Sequence, residues 1–284
     1  MPEVTVMMPV YQMAGNPALR TAVRSIEKQT FADWELLLYD DGSTDGTLQE
    51  LRRLAARHPR IFVICGQENR GAGYARNICI QAASGRYLAV MDADDIAHPR
   101  RLEIQKDFLD SNPQYAFAGS HAWMIDSRGI WGLCRTKKEP DAESFLHTLP
   151  VVHPSVMFRK EVLIHMHGYA VSPKTRRAED YELLMRLYAA GYRGYNIQRP
   201  LLSYREDLRA YHKRKYRYRI AECMIRLEGF QRLGILRGNM RYVIKPLAVG
   251  LVPAFVMRAV RSRRFRWDAA LQERDLSRRE DEQR

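Results

Sequence analysis

The sequence predicts an α/β fold in which a mostly parallel sheet is covered by helices on both faces. Four short apolar runs within the first hundred residues alternate with amphipathic segments, which is the order expected of a strand–helix repeat. Near-continuous apolar strands are typical of parallel sheets, because both of their faces are buried. Carboxylate-rich turns follow two of these runs, at the strand ends where such sheets bind ligands.

The predicted elements of the first half follow one another at short intervals. We expect strands at residues 4–11, 34–39, 61–65 and 87–91. We expect a helix at 17–29, a second one that follows the turn at 40–45 and ends at about residue 57, and a third at 72–83. For residues 87–91 the apolar pattern alone also permits a buried helical turn.

The pattern changes after the fourth strand. We expect a helix from Pro99 to Leu109 with the proline in its first turn, a strand at 115–119, and a hairpin at 122–131 that turns near 127–129. A loop at 136–144, a short strand at 155–158 and a helix at 179–190 complete this part.

Composition and charge exclude several classes of protein. The four cysteines form no C-x-x-C pair, which favours reduced thiols over a disulfide framework or a zinc site. The N-terminus lacks the basic and apolar regions of a signal peptide, so we expect a cytoplasmic protein. Residues 205–284 carry 21 Lys and Arg against 10 Asp and Glu, whereas residues 1–204 carry 25 against 23. Because the positive charge is confined to the C-terminal part, no nucleic-acid partner is expected.

Three carboxylates, Asp92, Asp94 and Asp95, follow the fourth predicted strand within four positions. Carboxylates this close repel one another unless a positive group lies among them. Mg²⁺ and Mn²⁺ prefer oxygen ligands and commonly share them with substrate phosphates, so the cluster predicts a Mn²⁺ or Mg²⁺ site. The alternative is a solvated acidic turn.

A second acidic turn, Asp40–Asp45, follows the second strand. This pattern predicts either a tight turn with a helix N-cap or a site in which one carboxylate accepts a hydrogen bond from the imide N–H of a uracil ring. Because parallel strands end at one edge of the sheet, we expect Pro9 and Tyr11, Asp41, and Asp92 and Asp94 to converge there.

Other candidate residues are open to two interpretations. Gly71 and Gly73 do not complete a dinucleotide fingerprint, since Arg76 occupies the third glycine position; Arg76 is either a phosphate-side residue or a surface residue. Glu179 and Asp180 open a helix, where acidic residues either complement the helix dipole or, for Asp180, act as a general base. His153 is a weaker candidate for a pocket residue, and the histidine spacing does not match a zinc site.

Eight motifs in a fixed order resemble those of family 2 glycosyltransferases, which have the GT-A fold, a Rossmann-like fold of nucleotide-diphospho-sugar transferases. The matching segments are Val6–Tyr11, Gln29–Leu36, Asp40–Asp45, Gly71–Asn77, Gly85–Asp95, His153–Phe158, Glu179–Leu183 and Pro200–Arg205. The resemblance covers residues 3–205. We therefore expect a catalytic domain at 1–205, with a nucleotide-binding half at 1–98 and an acceptor half at 99–205.

The resemblance implies an inverting, metal-assisted hexosyltransferase of bacterial surface-polysaccharide synthesis that uses a nucleotide-diphosphate donor, usually a UDP-sugar, and a saccharide or lipid-linked saccharide acceptor. It implies that Asp41 binds uracil beside Pro9 and Tyr11. Asp92 and Asp94 would form the D-x-D pair, with Asp94 on the cation, and Asp180 would be the base. Asp95 receives no role. The alternatives are a sugar-nucleotide pyrophosphorylase and an inactive nucleotide-sugar-binding protein.

The basic C-terminal region, 206–284, lies beyond the resemblance. We expect a helical stretch at 208–233, and an uncharged run at 247–257 that is shorter than the roughly 20 residues needed to span a bilayer. This run and the arginines after it suit attachment to an anionic surface on the inner face of a membrane. The alternative is a helical appendage that packs on the catalytic domain or forms a homodimer. The polar composition predicts disorder from about residue 273.

Overall fold

The computed structural model describes residues 1–206 and 215–282, with side chains for residues 1–206, 215–266, 268 and 269. The strands are β1 Val4–Val10, β2 Trp34–Asp40, β3 Ile61–Cys65, β4 Tyr87–Val90, β5 Ile96–Ala97, β6 Phe117–Asp126, β7 Gly129–Cys134, β8 Met157–Arg159 and β9 Gly194–Arg205. The helices are α1 Pro17–Glu27, α2 Thr47–Ala55, α3 Ala72–Ala82, α4 Arg101–Ser111, α5 Lys160–His165, α6 Glu179–Ala189, α7 Tyr216–Arg232, α8 Met240–Leu251 and α9 Ala254–Glu282. Short 3₁₀ helices cover Ala142–Leu146 and His153–Ser155.

The strands form one sheet in the order β3-β2-β1-β4-β8-β6-β9-β5, with β7 paired to β6. Strands β1 to β4 are mutually parallel, while β8 joins β4 in the antiparallel direction. Because β6 is antiparallel to β8 and parallel to β9, both run in the direction of β1 to β4. The predicted α/β fold with a mostly parallel sheet is therefore confirmed.

Two apolar cores lie on opposite faces of the sheet. Alternating strand residues divide between them, as the period of two requires: Met7 belongs to one core, and Val6 and Met8 belong to the other. Helices α3 and α6 cover the first face, whereas α1, α2 and α4 cover the second. This arrangement leaves the carboxyl ends of the parallel strands as the place for a site.

Two predictions about the second half are corrected. Helix α4 begins at Arg101 rather than Pro99, because the carbonyl oxygen of Pro99 accepts from the Thr30 N–H at 2.9 Å and the chain before it forms strand β5. The strand expected at 115–119 and the first arm of the hairpin are one strand, β6. The sequence between them offers no turn, and Gly119 allows close approach, since a Cβ there would lie 2.4 Å from Oδ1 of Asn196.

The C-terminal helices pack on the rest of the chain. Ile225, Phe230 and Val243 of α7 and α8 belong to the core that contains Met7. Phe265 of α9 lies against Trp131, with ring centroids 5.7 Å apart. The first residues of the predicted stretch 208–233 lie outside the described part, and α7 covers the remainder to Arg232. Helix α9 extends through 273–282, where the composition predicts disorder.

Candidate functional site

The carboxyl ends of β1, β2 and β4 meet at one edge of the sheet, as predicted. Val10 is paired with Asp40, and Met7 with both Leu37 and Val90, so the segments that follow these strands emerge side by side. Pro9 lies within β1 and is partly buried, and Tyr11 follows it with 46% of its surface exposed.

Asp41 is buried and organises the glycine turn before α3. Its Oδ1 accepts from the backbone N–H of Arg70 at 2.9 Å, and its Oδ2 accepts from that of Gly71 at 2.8 Å. Gly42 beside it has a φ of 69°, in the left-handed region that favours glycine. The carboxylate predicted to bind the base therefore also fixes the loop along the same edge. A carboxylate retains further lone pairs for a ligand.

Arg76 connects the two halves of the candidate site. Its side chain is 6% exposed, with Nη2 lying 2.9 Å from Oδ1 of Asp92 and Nη1 lying 3.4 Å from Oε1 of Glu179. Burial disfavours the charged form, but Asp92, Tyr169, Glu179 and Asp180 outweigh it and raise the pKa of Arg76. The surface alternative for Arg76 is wrong, because the side chain lies between the acidic turn after β4 and the start of α6.

The three carboxylates after β4 differ in environment. Asp92 is partly exposed and paired with Arg76. Burial, and then the neighbouring Asp92 carboxylate, raise the pKa of Asp94. Asp95 is fully buried, and its Oδ1 accepts from the Arg205 backbone N–H at 2.8 Å. Asp95 therefore joins the acidic turn to the end of β9, while Asp92 and Asp94 remain open to a ligand.

The donor set at this turn suits a divalent cation that shares its ligands with a substrate. Among the residues that the structure describes, no group of three or more His, Cys, Asp or Glu is arranged to hold a metal. Mg²⁺-type sites commonly use one or two carboxylates and complete their shell with water and substrate phosphates. Asp92 and Asp94 supply two such carboxylates, and a cation would relieve the repulsion that, after burial, raises the pKa of Asp94.

Glu179 and Asp180 lie in the first turn of α6. Oδ1 of Asp180 accepts from the Tyr181 backbone N–H at 2.8 Å, and the side chain remains partly exposed. The Tyr181 hydroxyl donates to the carbonyl oxygen of Phe145, which fixes the helix against a 3₁₀ turn. Gly73 allows α3 to approach α6, since a Cβ there would lie 3.3 Å from Cβ of Glu179.

His153 is a buried neighbour of Arg76 rather than an open pocket residue. Its Nε2 lies 3.0 Å from the Tyr169 hydroxyl. Burial, and then Arg76, hold the pKa of His153 well below its ordinary value, so the ring is neutral near pH 7. Only a small part of it reaches the wall of a cavity that also contains Asp180.

Two residues of the site were not singled out from the sequence. Tyr169 contacts both His153 and the guanidinium of Arg76, whose carbon lies 5.5 Å from the ring centroid, and no sequence signal marks it. Arg205 belongs to a motif that was noted without a role. Its backbone N–H and its Nε bind Asp95 and the carbonyl oxygen of Asp94, respectively.

Two protein-family models and one relative match most of the chain. The family model described as Glycosyl transferase family 2 matches residues 5–166, and the one described as Glycosyl transferase family group 2 matches residues 87–269. The EpsE chain of Bacillus subtilis, which is named as a glycosyltransferase, is 33% identical over 264 residues, covering 93% of this chain and 94% of EpsE.

Two further proteins are similar to this chain. WfgD of Escherichia coli, named as a UDP-Glc:alpha-D-GlcNAc-diphosphoundecaprenol beta-1,3-glucosyltransferase, is 36% identical over 129 residues, covering 45% of this chain and 49% of WfgD. The mannosyltransferase PcManGT of Pyrobaculum calidifontis, solved with GDP-Man and Mn²⁺, has a TM-score of 0.63 at 20% identity, covering 91% of this chain and 79% of that one. The chain is thus a glycosyltransferase with the GT-A fold, and it belongs to glycosyl transferase family 2.

Proposed function

We propose that this enzyme transfers a sugar, with inversion, from a UDP-sugar to a saccharide or lipid-linked saccharide. The observation that carries the proposal is the Arg76 bridge. The buried guanidinium of Arg76 pairs with Asp92, which lies in the turn predicted to bind the donor diphosphate. It also pairs with Glu179, which precedes the candidate base Asp180. These contacts support the proposal, because the turn that would bind the donor and the helix that carries the candidate base are joined through Arg76.

The nucleotide is assigned to the edge formed by β1 and β2. Pro9 and Tyr11 would line the base, and Asp41, held by the loop N–H groups, would accept from the imide N–H of uracil. The name of WfgD gives a UDP-sugar, whereas that of PcManGT gives GDP-Man. A carboxylate can accept from the imide N–H of uracil and equally from the N1–H and amino group of guanine, so comparing the affinities of UDP and GDP tests the choice of UDP directly.

Asp94 and Asp92 would hold Mn²⁺ or Mg²⁺ together with the donor diphosphate. When bound, such a cation offsets the charge that develops on the leaving diphosphate. Arg205, at the end of β9, holds the turn in place, because its backbone N–H donates to Asp95 and its Nε donates to the carbonyl oxygen of Asp94. Arg76 stays charged beside Asp92 and fixes the orientation of that carboxylate.

Asp180 would take the proton from the acceptor hydroxyl. The first turn of a helix stabilises a carboxylate, which keeps Asp180 in the form that accepts a proton. The acceptor oxygen then bonds to the anomeric carbon on the face opposite the diphosphate. The bond to the diphosphate oxygen breaks, and the diphosphate leaves with the electron pair, so the anomeric configuration inverts.

Transfer assays with Asp180→Asn and Asp94→Asn test these roles. Each substitution is expected to lower turnover by at least about a hundredfold, the scale of a general base or an electrostatic group. Asp107→Asn on α4, whose side chain is 65% exposed, is the matched control and should behave as wild type. Near wild-type turnover of Asp180→Asn would show that the base is elsewhere.

Nucleotide binding tests the donor assignment, and turnover tests the remaining alternative. Calorimetry with UDP and Mn²⁺ should detect binding that Asp94→Asn weakens. If the wild-type chain bound no nucleotide under these conditions, the donor assignment would be lost. Family membership removes the pyrophosphorylase alternative. A screen for hydrolysis of UDP-sugars separates an active transferase from an inactive sugar-nucleotide binder.

The outer face of α8 and α9 suits the surface of an anionic membrane. Large apolar side chains are exposed there, among them Ile244, Leu251, Phe255 and Val260. Within the described residues, no single helix meets the length and apolarity of a membrane span. The pair Met240–Leu251 and Ala254–Arg266 meets it only jointly, with a bend of 118°. A bent apolar face followed by arginines is the pattern of an interfacial helix, and the arginines favour anionic lipid.

Flotation with anionic liposomes tests this attachment. The wild-type chain should float at low salt and less at high salt, and Leu251→Glu with Phe255→Glu should abolish flotation. Ile164→Glu, an equally exposed apolar position on α5, serves as the control and should float as wild type. Failure to float at low salt would exclude the membrane, and a doubled mass in light scattering would favour the homodimer.

A further inference from the structure

A cavity of about 1180 Å³ lies beside Asp180, and the C-terminal helices form much of its wall. Its described lining contains Asp180 and Tyr204 but not Asp41, Arg76, Asp92 or Asp94, so the residues assigned to the donor do not line it. Its volume exceeds the roughly 300–1,000 Å³ of ordinary small-molecule pockets. The cavity can therefore hold more of an acceptor than one sugar ring.

The wall of this cavity is strongly basic. Its described lining residues include nine Lys and Arg side chains and three Asp and Glu. Glu222 is shared by two of these cations, lying 3.7 Å from Arg219 and 3.1 Å from Arg226. Glu206 pairs with Arg261 at 2.8 Å. The carboxylates of the wall thus offset only part of its positive charge.

Lys245 of α8 and Arg264 of α9 are two of these nine cations. Lys245 donates to the carbonyl oxygen of His147 at 3.0 Å. Burial, and then Arg226, lower the pKa of Lys245, and Arg264 acts in the same direction. In addition, the Nε of Arg219 is buried without a hydrogen-bond partner in the described part of the chain. Lys245 is therefore repelled by neighbouring cations, and the Nε of Arg219 is a donor that can serve a ligand oxygen.

We propose that the C-terminal helices bind a diphosphate group of the acceptor, which is a saccharide linked through diphosphate to a lipid. This rests on the proposed transfer function and names its substrate class. Cationic side chains suit phosphate oxygens, while Val249, Met257 and Phe265 of the same wall provide apolar surface for the start of a lipid chain. The acceptor of WfgD, by its name, has this chemistry.

Direct binding of a soluble acceptor analogue tests the proposal without relying on turnover. The probe is GlcNAc linked through diphosphate to a short alkyl chain, titrated into the full chain in the absence of donor and of vesicles. The double variant Lys245→Gln with Arg264→Gln should weaken binding about tenfold or more, the loss expected for charge-assisted contacts. Arg263→Gln with Arg266→Gln is the matched control, since both arginines are exposed on α9 and lie outside the described lining.

Two further arms separate the sources of the effect. Octyl GlcNAc, which is neutral, should bind more weakly than the diphosphate probe and should not distinguish the variants. If Lys245→Gln with Arg264→Gln lost only vesicle binding and kept affinity for the soluble probe, the cations would serve lipid headgroups and the proposal would be overturned. Equal affinity for the neutral and diphosphate probes would also overturn it.

The outcome is separable from that of the proposed function. Calorimetry with UDP and Mn²⁺ on the same variants reports on the donor side, where Lys245→Gln with Arg264→Gln should match wild type. If the wild-type chain bound no nucleotide, the donor assignment would be wrong. If the double variant bound both the nucleotide and the diphosphate probe as tightly as wild type does, the diphosphate proposal would be wrong and the donor assignment would stand.

Discussion

The Arg76→Met substitution removes a buried guanidinium that two carboxylates share. Nη2 lies 2.9 Å from Asp92, Nη1 lies 3.4 Å from Glu179, and only 6% of the arginine side chain is exposed. Removing one partner of a buried ion pair costs about 3–5 kcal/mol, because the remaining charge is left without compensation. Asp92 is 34% exposed, so water compensates part of the loss, and we expect about 3 kcal/mol.

Urea denaturation followed by tryptophan fluorescence measures this loss. The control is Arg100→Met, which breaks an ion pair of the same length, 2.9 Å to Glu103, with 56% of the arginine and 34% of the glutamate side chain exposed. A surface pair of this kind contributes little to the free energy of unfolding. The difference between the two substitutions therefore isolates the effect of burial.

Adding Glu179→Gln to Arg76→Met tests whether the two carboxylates repel each other once the arginine is gone. We expect the double variant to recover about 1 kcal/mol relative to Arg76→Met, as contacting residues in one network are coupled on that scale. If Arg76→Met were as mild as Arg100→Met, and Glu179→Gln restored nothing, the view that Arg76 holds the two halves of the site together would be refuted.

Three further predictions concern the frame of the site. Gly42→Ala should destabilise the fold by about 1–3 kcal/mol and weaken UDP binding. The reason is that a Cβ there would lie 2.5 Å from the backbone of Glu68, and that the residue has a positive φ. Unchanged thermal stability would contradict this prediction. Asp95→Ala should lower the free energy of unfolding by about 1–3 kcal/mol, because it removes the acceptor of the Arg205 N–H. Asp95→Asn keeps an acceptor oxygen and should lower it less. Equal losses of the two variants in urea denaturation would argue against this role of Asp95. Burial, and then Arg135, lower the pKa of His121 to about 4, so the unfolded chain binds the extra proton and stability falls as the pH is lowered from about 6.5 towards 4. Between about pH 7.5 and pH 5 this amounts to about 2 kcal/mol, and His121→Asn should remove that part of the pH dependence in paired urea titrations.

The sequence was informative where a pattern is local. Apolar runs located β1 to β4, of which β1, β2 and β4 are buried almost throughout and β3 is a partly exposed edge strand. Because these strands are parallel, the carboxylate-rich ends of β2 and β4 share one edge of the sheet. The sequence was less informative in the second half. There, β6 and β9 pair although they are far apart in the sequence. The need for a glycine at position 119 arises from the side chain of Asn196 on β9, which leaves no room for a Cβ.

The sequence by itself determined the α/β class, the sheet edge that carries the acidic turns and the family resemblance, because each depends on periodicity or on residues close together in the chain. Only the tertiary structure decided that Arg76 is buried between Asp92 and Glu179, that Asp95 faces β9, and that basic C-terminal helices border the cavity at Asp180. The contacts of Arg76 join residues 103 positions apart. Such contacts arise from how packed layers bring distant segments together, and a charged residue in the sequence carries no mark of whether it will be buried.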